Sequence, residues 1–288
     1  MVNCTWHYAI YRNGKCGINL FLVDNATKWS AEVTCLQEDV AQLHRLGAVP
    51  AYRGETPPSD RVRGLPHNAA DTMMMMMEKL RNYVREGKML VCTQSGLPPN
   101  TRILTSPSAT VEKKLPDRTL SVERRLIRDG RRVNIHCPKQ DYWHLDTPSI
   151  HDLAVRAAQI RGEFPGIDII GTKRDIDAAF TRVRLRPDSC RMFSTEFSLG
   201  IADDENLIFY YLVLPFGFTG STGIFGRVMK AVERFHHQHG PNDTTRNGYM
   251  RFRSVVYVDD GMFIEPRIGS RPEQSVLRWG KGGSPFLR

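Results

Sequence analysis

The sequence predicts an α+β fold, in which antiparallel strands form a sheet backed by helices and a basic β-ribbon stands beside it. Three observations carry that expectation. At 254–264, Ser254-Val255-Val256-Tyr257-Val258 and Met262-Phe263-Ile264 flank Asp259-Asp260-Gly261, two β-forming runs around a tight turn. At 108–129, two strand-like arms rich in Lys, Arg and Glu flank Leu115-Pro116-Asp117-Arg118. Between such runs lie segments whose apolar residues recur at helical spacing, with capping residues before them and glycine after.

With 41% hydrophobic and 25% charged residues in 288, the chain has the composition of a folded globular protein, long enough for one large domain or two small ones. Its net charge of +9 implies a polyanionic partner, nucleic acid before an anionic membrane. No apolar stretch has the length of a membrane span, and the run at 17–23 is too short and poorly flanked for a signal peptide. The expected setting is therefore intracellular, cytoplasmic or nuclear, and not secreted. The six cysteines form no C-x-x-C pair, and Cys4-x-x-His7 with Cys16 lacks a second ligand pair to complete a zinc site. His236-His237-x-His239 reads as a polar helix end.

In chain order, the stretch at 6–11 reads as a strand broken at Asn13-Gly14. Ser30 caps a helix over 31–46, striped by Val33, Leu36, Val40 and Leu43 and ended by Gly47. Residues 50–66 are rich in Pro, Gly, Arg and Asp and read as a linker. A second helix opens at Asn68 or Asp71, runs to about 86 and closes at Gly87; its run Met73 to Met77 fits a buried helix, since methionine fills irregular cores. Residues 111–134 then hold eight Lys/Arg against four Asp/Glu. Lys113, Lys114, Arg124 and Arg125 clustered on facing strands would make a phosphate clamp.

A third helix starts at Ser149 or Asp152 and runs through Ile160, and the apolar run 167–171 leads into Asp175. Thr181-Arg182-Val183-Arg184-Leu185-Arg186 alternates strictly, which puts its arginines on the open face of a strand. Strands follow near 191–197 and 207–214. From Leu214 to Gly223 a Gly-rich loop opens a helix over 224–237, its amides free for an anion, although no Gly-Lys-Ser/Thr follows. On that helix Ile224, Phe225, Val228, Met229, Val232 and Phe235 form the buried side, while Arg227, Lys230 and Arg234 share another. Residues 266–288 show little sign of a packed element and read as an unstructured tail.

The Asp pair admits two readings. Turns favour Asp because its carboxylate accepts bonds from nearby amides. Against that, adjacent carboxylates between buried strands repel each other by up to about 4 kcal/mol at 4 Å and an effective dielectric of 20, and a divalent cation removes that cost.

Four boxes in order resemble the reverse transcriptase domain of retroviral and LTR-retrotransposon polyproteins, over 73–265. Tyr257-Val258-Asp259-Asp260 is similar to the family's Y-x-D-D motif, and Asp175-x-x-x-Ala179-Phe180 to its first catalytic-aspartate motif. Leu214-Pro215-Phe216-Gly217 with Ser221 resembles the motif that holds template and incoming nucleotide. Arg125 through Asn134 resembles a fingers segment. The resemblance implies a polymerase palm with the basic ribbon as fingers, and RNA-directed DNA synthesis from dNTPs on an RNA or DNA template with primer. It implies two Mg2+ or Mn2+ ions, held principally by Asp175 and Asp259, with Asp260 in support. Asp177 is the alternative to Asp175, but it breaks the spacing to Phe180. Lys114 (or Lys113) and Arg125 then grip the triphosphate, Phe180 lies beneath the sugar unless it is only a core aromatic, and Phe216 and Gly217 complete the nucleotide site. Arg227, Lys230 and Tyr257 are the implied template and primer contacts.

The pattern also departs from the family. The family continues past the Asp pair into a primer-gripping turn and a helical thumb, whereas this chain has 28 residues after Asp260 that do not read as a thumb. The expected organisation is 1–66 of unknown role, 67–265 as fingers and palm, and a tail over 266–288. Two other readings compete: a catalytically inactive nucleic-acid-binding remnant of such an element, and an RNA-dependent RNA polymerase. Tyr-Val before the Asp pair and Phe180 argue against the last.

Overall fold

The computed structural model describes residues 40, 42–43, 45–54, 59–61, 73–114, 119–142, 147–198, 206–241 and 251–287. Cys4, His7, Cys16, the strand expected at 6–11 and most of the helix expected at 31–46 lie outside them. In chain order the elements are α1 (Met73–Arg85), β1 (Met89–Thr93), β2 (Ser108–Lys114), β3 (Leu120–Arg128), α2 (Arg131–Asn134), α3 (Ile150–Glu163) and β4 (Ile169–Asp175). Then come β5 (Ser194–Ser198), β6 (Asn206–Tyr211), α4 (Gly220–His237), β7 (Ser254–Tyr257), β8 (Asp260–Pro266) and α5 (Arg271–Leu287). The architecture is mixed α+β, with small antiparallel sheets ordered β1-β6-β5, β2-β3 and β4-β8-β7. The chain divides into two units, each assembled from separate stretches of sequence.

One unit takes in 46–142 and 183–221. Its β1-β6-β5 sheet packs Ile103, Ile208 and Tyr210 together, with Leu90, Cys92 and Leu97 against them. The methionine run is only partly interior: Met76 is fully buried, whereas Met74 is 87% exposed, as one helical face requires. The ribbon pairs Ser108 with Arg128 and Glu112 with Arg124, and its register shifts between Glu112 and Lys114. Arg128 is buried, donates through Nη2 to Met192 O (3.0 Å) and lies over the Phe193 ring. Its Nε and Nη1 have no hydrogen-bond partner among the described residues, and burial pushes its pKa down to about 10.

The other unit takes in, among the described residues, 40, 42–43, 45, 147–182, 222–241 and 251–287. Helix α3 starts with a capping box, Ser149 Oγ accepting from Asp152 N–H and the Asp152 carboxylate accepting from Ser149 N–H. Strand β7 is an edge, and its polar groups are covered rather than left open. Ser254 N–H donates to His237 Nε2 (3.0 Å), Ser254 O accepts from Arg156 (2.9 Å), and Val256 N–H donates to Glu233 (3.2 Å).

Two expectations are corrected. The tail over 266–288 is not unstructured: it carries α5, whose Arg271, Ser275 and Trp279 are buried. Arg271 Nε donates to buried Glu265 (2.6 Å), and Gly280, Gly282, Gly283 and Pro285 hide the helical pattern in the sequence. The alternating run 181–186 is not a strand either. Ala179–Arg182 is a 3-10 turn, and Arg184 and Leu185 make only isolated bridges, although burial still alternates along the run.

Of the histidines at the end of α4, His236 is interior, while His237 and His239 are half-buried. His236 is fully buried, with Nε2 3.0 Å from Ser275 O and its ring stacked on Phe252. Burial pushes its pKa down to about 3, opposed by the Ser275 hydrogen bond and reinforced by His237, His239 and Arg271. In the unfolded chain the ring titrates near 6.5, so between that pH and about 3 only the unfolded state takes up the proton, and stability falls as pH falls. Urea unfolding at pH 7 and pH 5 should differ by about 1–2 kcal/mol. Equal stability at both would mean that the fold accepts a charged His236.

Candidate metal centre

The site follows from strand order. Central β8 pairs with β4 on one side and β7 on the other, so Asp260 sits directly between Asp175 and Tyr257. Direct cross-strand partners share a face, with Cβ atoms about 4.5–5.5 Å apart. Asp259 arrives by another route, as the second residue of the two-residue loop closed by the Tyr257–Asp260 pair. The sequence places Asp259-Asp260-Gly261 in the turn; the structure instead turns at Val258-Asp259 and puts Asp260 and Gly261 in β8. There Gly261 packs against Trp279 of α5, whose ring comes so close that a Cβ would be 2.7 Å from it.

Val258 carries the consequence at φ +54°, a conformation that strains a β-branched residue by about 1–3 kcal/mol. Ala178, three residues after Asp175, has φ +54° as well. Of the three non-glycine residues with positive φ among those described, these two flank the carboxylates. Ile176 N–H donates to Asp259 O (3.2 Å) and ties the end of β4 to the loop.

Asp175, Asp259 and Asp260 each offer an oxygen, all within 4.8 Å of one another, a cluster that could hold a metal ion. Their donor chemistry, hard oxygens only, suits Mg2+, Mn2+ or Ca2+ rather than zinc. Burial raises the Asp259 pKa, with Asp260 and Asp175 adding to the rise while a backbone hydrogen bond and Lys173 oppose it. Asp177 stands outside the cluster, 94% exposed at its side chain and paired with Arg182 (3.7 Å).

Lys173 is the residue that sequence reasoning missed. It lies two positions before Asp175 on the same face of β4 and opposite Met262, hence diagonal to Asp260, within reach of a long side chain. Its Nζ is 2.7 Å from Asp260 Oδ2. Period-two counting back from Asp175 would have found it.

The remaining candidates in this unit are mixed. Tyr257 shares the carboxylate face through its pairing with Asp260 and is 46% exposed. Phe180 is half-buried and meets the buried Phe225 edge-on at 5.7 Å. Arg227 is half-buried on α4. Lys230 donates to Glu233 (2.6 Å), which also receives Val256 N–H, so its charge is committed to the strand edge.

In the other unit, the ribbon puts its adjacent arginines on different faces. Arg124 opposes Glu112 and pairs with it (3.0 Å), while Arg125 opposes Val111 and is exposed; adjacent strand residues point to opposite faces. Lys114 opposes Leu120 beyond the register shift. Phe216 is 37% exposed. Gly217 has φ +91°, and a Cβ there would run into Arg128 O. Asn134 clamps this loop, Nδ2 donating to Gly217 O (3.0 Å) and Oδ1 accepting from Thr219 N–H (3.0 Å), so two of the sequence boxes meet. The expected Gly-rich loop through Gly223 is shorter, because α4 already begins at Gly220 and Ser221 Oγ donates back to Pro215 O (2.9 Å).

Compared with models of known protein families and with curated proteins, the chain matches none. Among the described residues, no helix is long and apolar enough to cross a membrane.

If the three carboxylates repel as their spacing requires, Asp259→Asn should raise stability by about 1 kcal/mol in metal-free buffer at pH 7. It should also remove any stabilisation by millimolar Mn2+, read as the shift of the thermal midpoint. A Mn2+ shift that survives the substitution would place the ion elsewhere.

Proposed function

We propose that the chain carries out reverse-transcriptase-type nucleotidyl transfer, adding dNTPs to a primer on an RNA template. The observation that supports this most is the convergence of Asp175, Asp259 and Asp260, from a strand end and an adjacent hairpin, within 4.8 Å. Two divalent ions, Mg2+ or Mn2+, supply Lewis-acid stabilisation of the attacking 3′-oxygen and the leaving pyrophosphate in such a reaction. Asp175 and Asp259 are the principal ligands in this reading, and Asp260 supports them. The sheet that carries them is a palm and the β2–β3 ribbon is the fingers. Arg125 and Lys114 bind the triphosphate, Phe216 and Gly217 shape the nucleotide site, and Phe180 lies under the sugar. Tyr257 contacts primer or template from the carboxylate face, and Arg227 does so from α4; Lys230, already held by Glu233, fits that role less well.

A second reading, a nucleic-acid-binding remnant without catalysis, draws on the net charge of +9 and on Arg125, exposed on the ribbon, which would bind a polyanion without productive chemistry. Primer extension separates the two. The purified chain with a DNA primer on an RNA template, dNTPs and Mg2+ or Mn2+ should incorporate nucleotide, and Asp259→Asn should lose at least a hundredfold of that rate, on the order of the electrostatic contributions seen in enzymes. Salt-sensitive binding of the hybrid without incorporation would favour the remnant. Phe180→Ala should narrow the preference for dNTP over rNTP. Unchanged discrimination would leave Phe180 as a core aromatic packed on Phe225.

A further inference from the structure

Lys173 sits inside the carboxylate cluster's charge balance, although the chemistry proposed above gives it no part. It approaches from β4 on the face that Asp175 and Asp260 share, and its ammonium is 2.7 Å from Asp260 Oδ2. The three carboxylates with this one ammonium leave a formal charge of minus two, which a single divalent cation neutralises. Lys173 is also the less fixed partner of the pair, with a side chain 62% exposed against 19% for Asp260. An ammonium on a four-carbon stem can leave without disturbing the sheet.

We infer that Lys173 is a built-in counter-cation of the cluster and sets how tightly, and in what number, divalent cations bind there. The inference rests on the metal-dependent reading above. Without nucleotide, the cluster takes one divalent ion, because Lys173 already serves Asp260. Once displaced, the ammonium stays on the same sheet face as a cation beside the site, where a polyanionic substrate can use it.

The test is a Mn2+ titration of the intact chain followed by the electron paramagnetic resonance of free Mn2+, with thermal unfolding as a check on folding. The wild-type chain should bind one ion, Lys173→Met should bind Mn2+ about fivefold more tightly, as expected for release of an exposed ion pair, and Lys173→Arg should match wild type. Asp259→Asn provides the background. If Lys173→Met binds with the same or lower affinity while binding still depends on Asp259, the inference about Lys173 is overturned and the metal centre stands. If wild type binds no more Mn2+ than Asp259→Asn, the metal centre itself fails and the inference with it. Two equivalent ions in the wild-type chain would also overturn it.

Discussion

The register of β8 is the constraint on which the carboxylate cluster depends. Along this strand, Asp260 and Met262 share one face while Gly261, Phe263 and Glu265 share the other. The second face is filled by α4 and α5: Trp279 lies against Gly261 and meets Phe263 edge-on at 5.2 Å, His236 meets Phe263 at 5.5 Å, and Arg271 pairs with Glu265. A slip of one residue would turn Asp260 inward against Trp279 and carry Gly261 to the place between Asp175 and Tyr257. Packing on the far side of the sheet therefore decides that two carboxylates meet on the near side. The carboxylates are positioned from behind.

The Glu265–Arg271 pair gives that packing one solution. Both side chains are at most 5% exposed, and Glu265 also accepts from Arg253 N–H (2.9 Å) and Ser275 Oγ (3.0 Å), while Arg271 donates to Arg251 O (2.8 Å). Burial raises the Glu265 pKa and Arg271 opposes the rise. Such a pair adds little net stability compared with apolar residues of the same shape, but losing one partner costs about 3–5 kcal/mol. Placing α5 anywhere else strands a charge in the core. Carboxylate repulsion and the strained Val258 are local costs of a few kcal/mol, and a uniquely docked helix lets the hairpin bear them.

How much of this is legible in the sequence depends on the range of the forces involved. The β7–β8 hairpin, the β2–β3 ribbon and the Asp pair follow from alternation and turn chemistry, which are local, whereas β1 falls where no strand is expected from the sequence. The position of the turn does not, because Asp-Asp-Gly is a good turn by local rules, whereas the structure pairs Asp260 and Gly261 within β8 and packs Gly261 against the distant Trp279. The helix over Arg271–Leu287 is obscured for the converse reason: its glycines and proline oppose a helix, and tertiary contacts from Arg271, Ser275 and Trp279 override them. The run 181–186 shows that alternation predicts burial better than hydrogen bonding, since its residues alternate in and out without joining a sheet. Lys173 was readable by period two, yet it enters only when strand order makes it diagonal to Asp260.

Charge separates the scale of the whole chain from the scale of the site. The chain carries a net +9, an excess that remains after local pairing, in which Arg61, Arg131, Arg132, Arg186 and Arg253 each meet an acid among the described residues. The carboxylate cluster runs the other way, net negative even with Lys173. A polyanion is attracted at long range and repelled at the last few ångströms, inside a Debye length of about 8 Å where salt no longer screens. Under the proposed function, a cation at the cluster reverses the local sign. Binding of the cation and binding of the nucleic acid are then thermodynamically coupled, each raising the affinity for the other by the same factor. Under the same reading, Lys173 lies at the centre of that coupling, because its ammonium moderates the local charge at Asp260 until it is displaced.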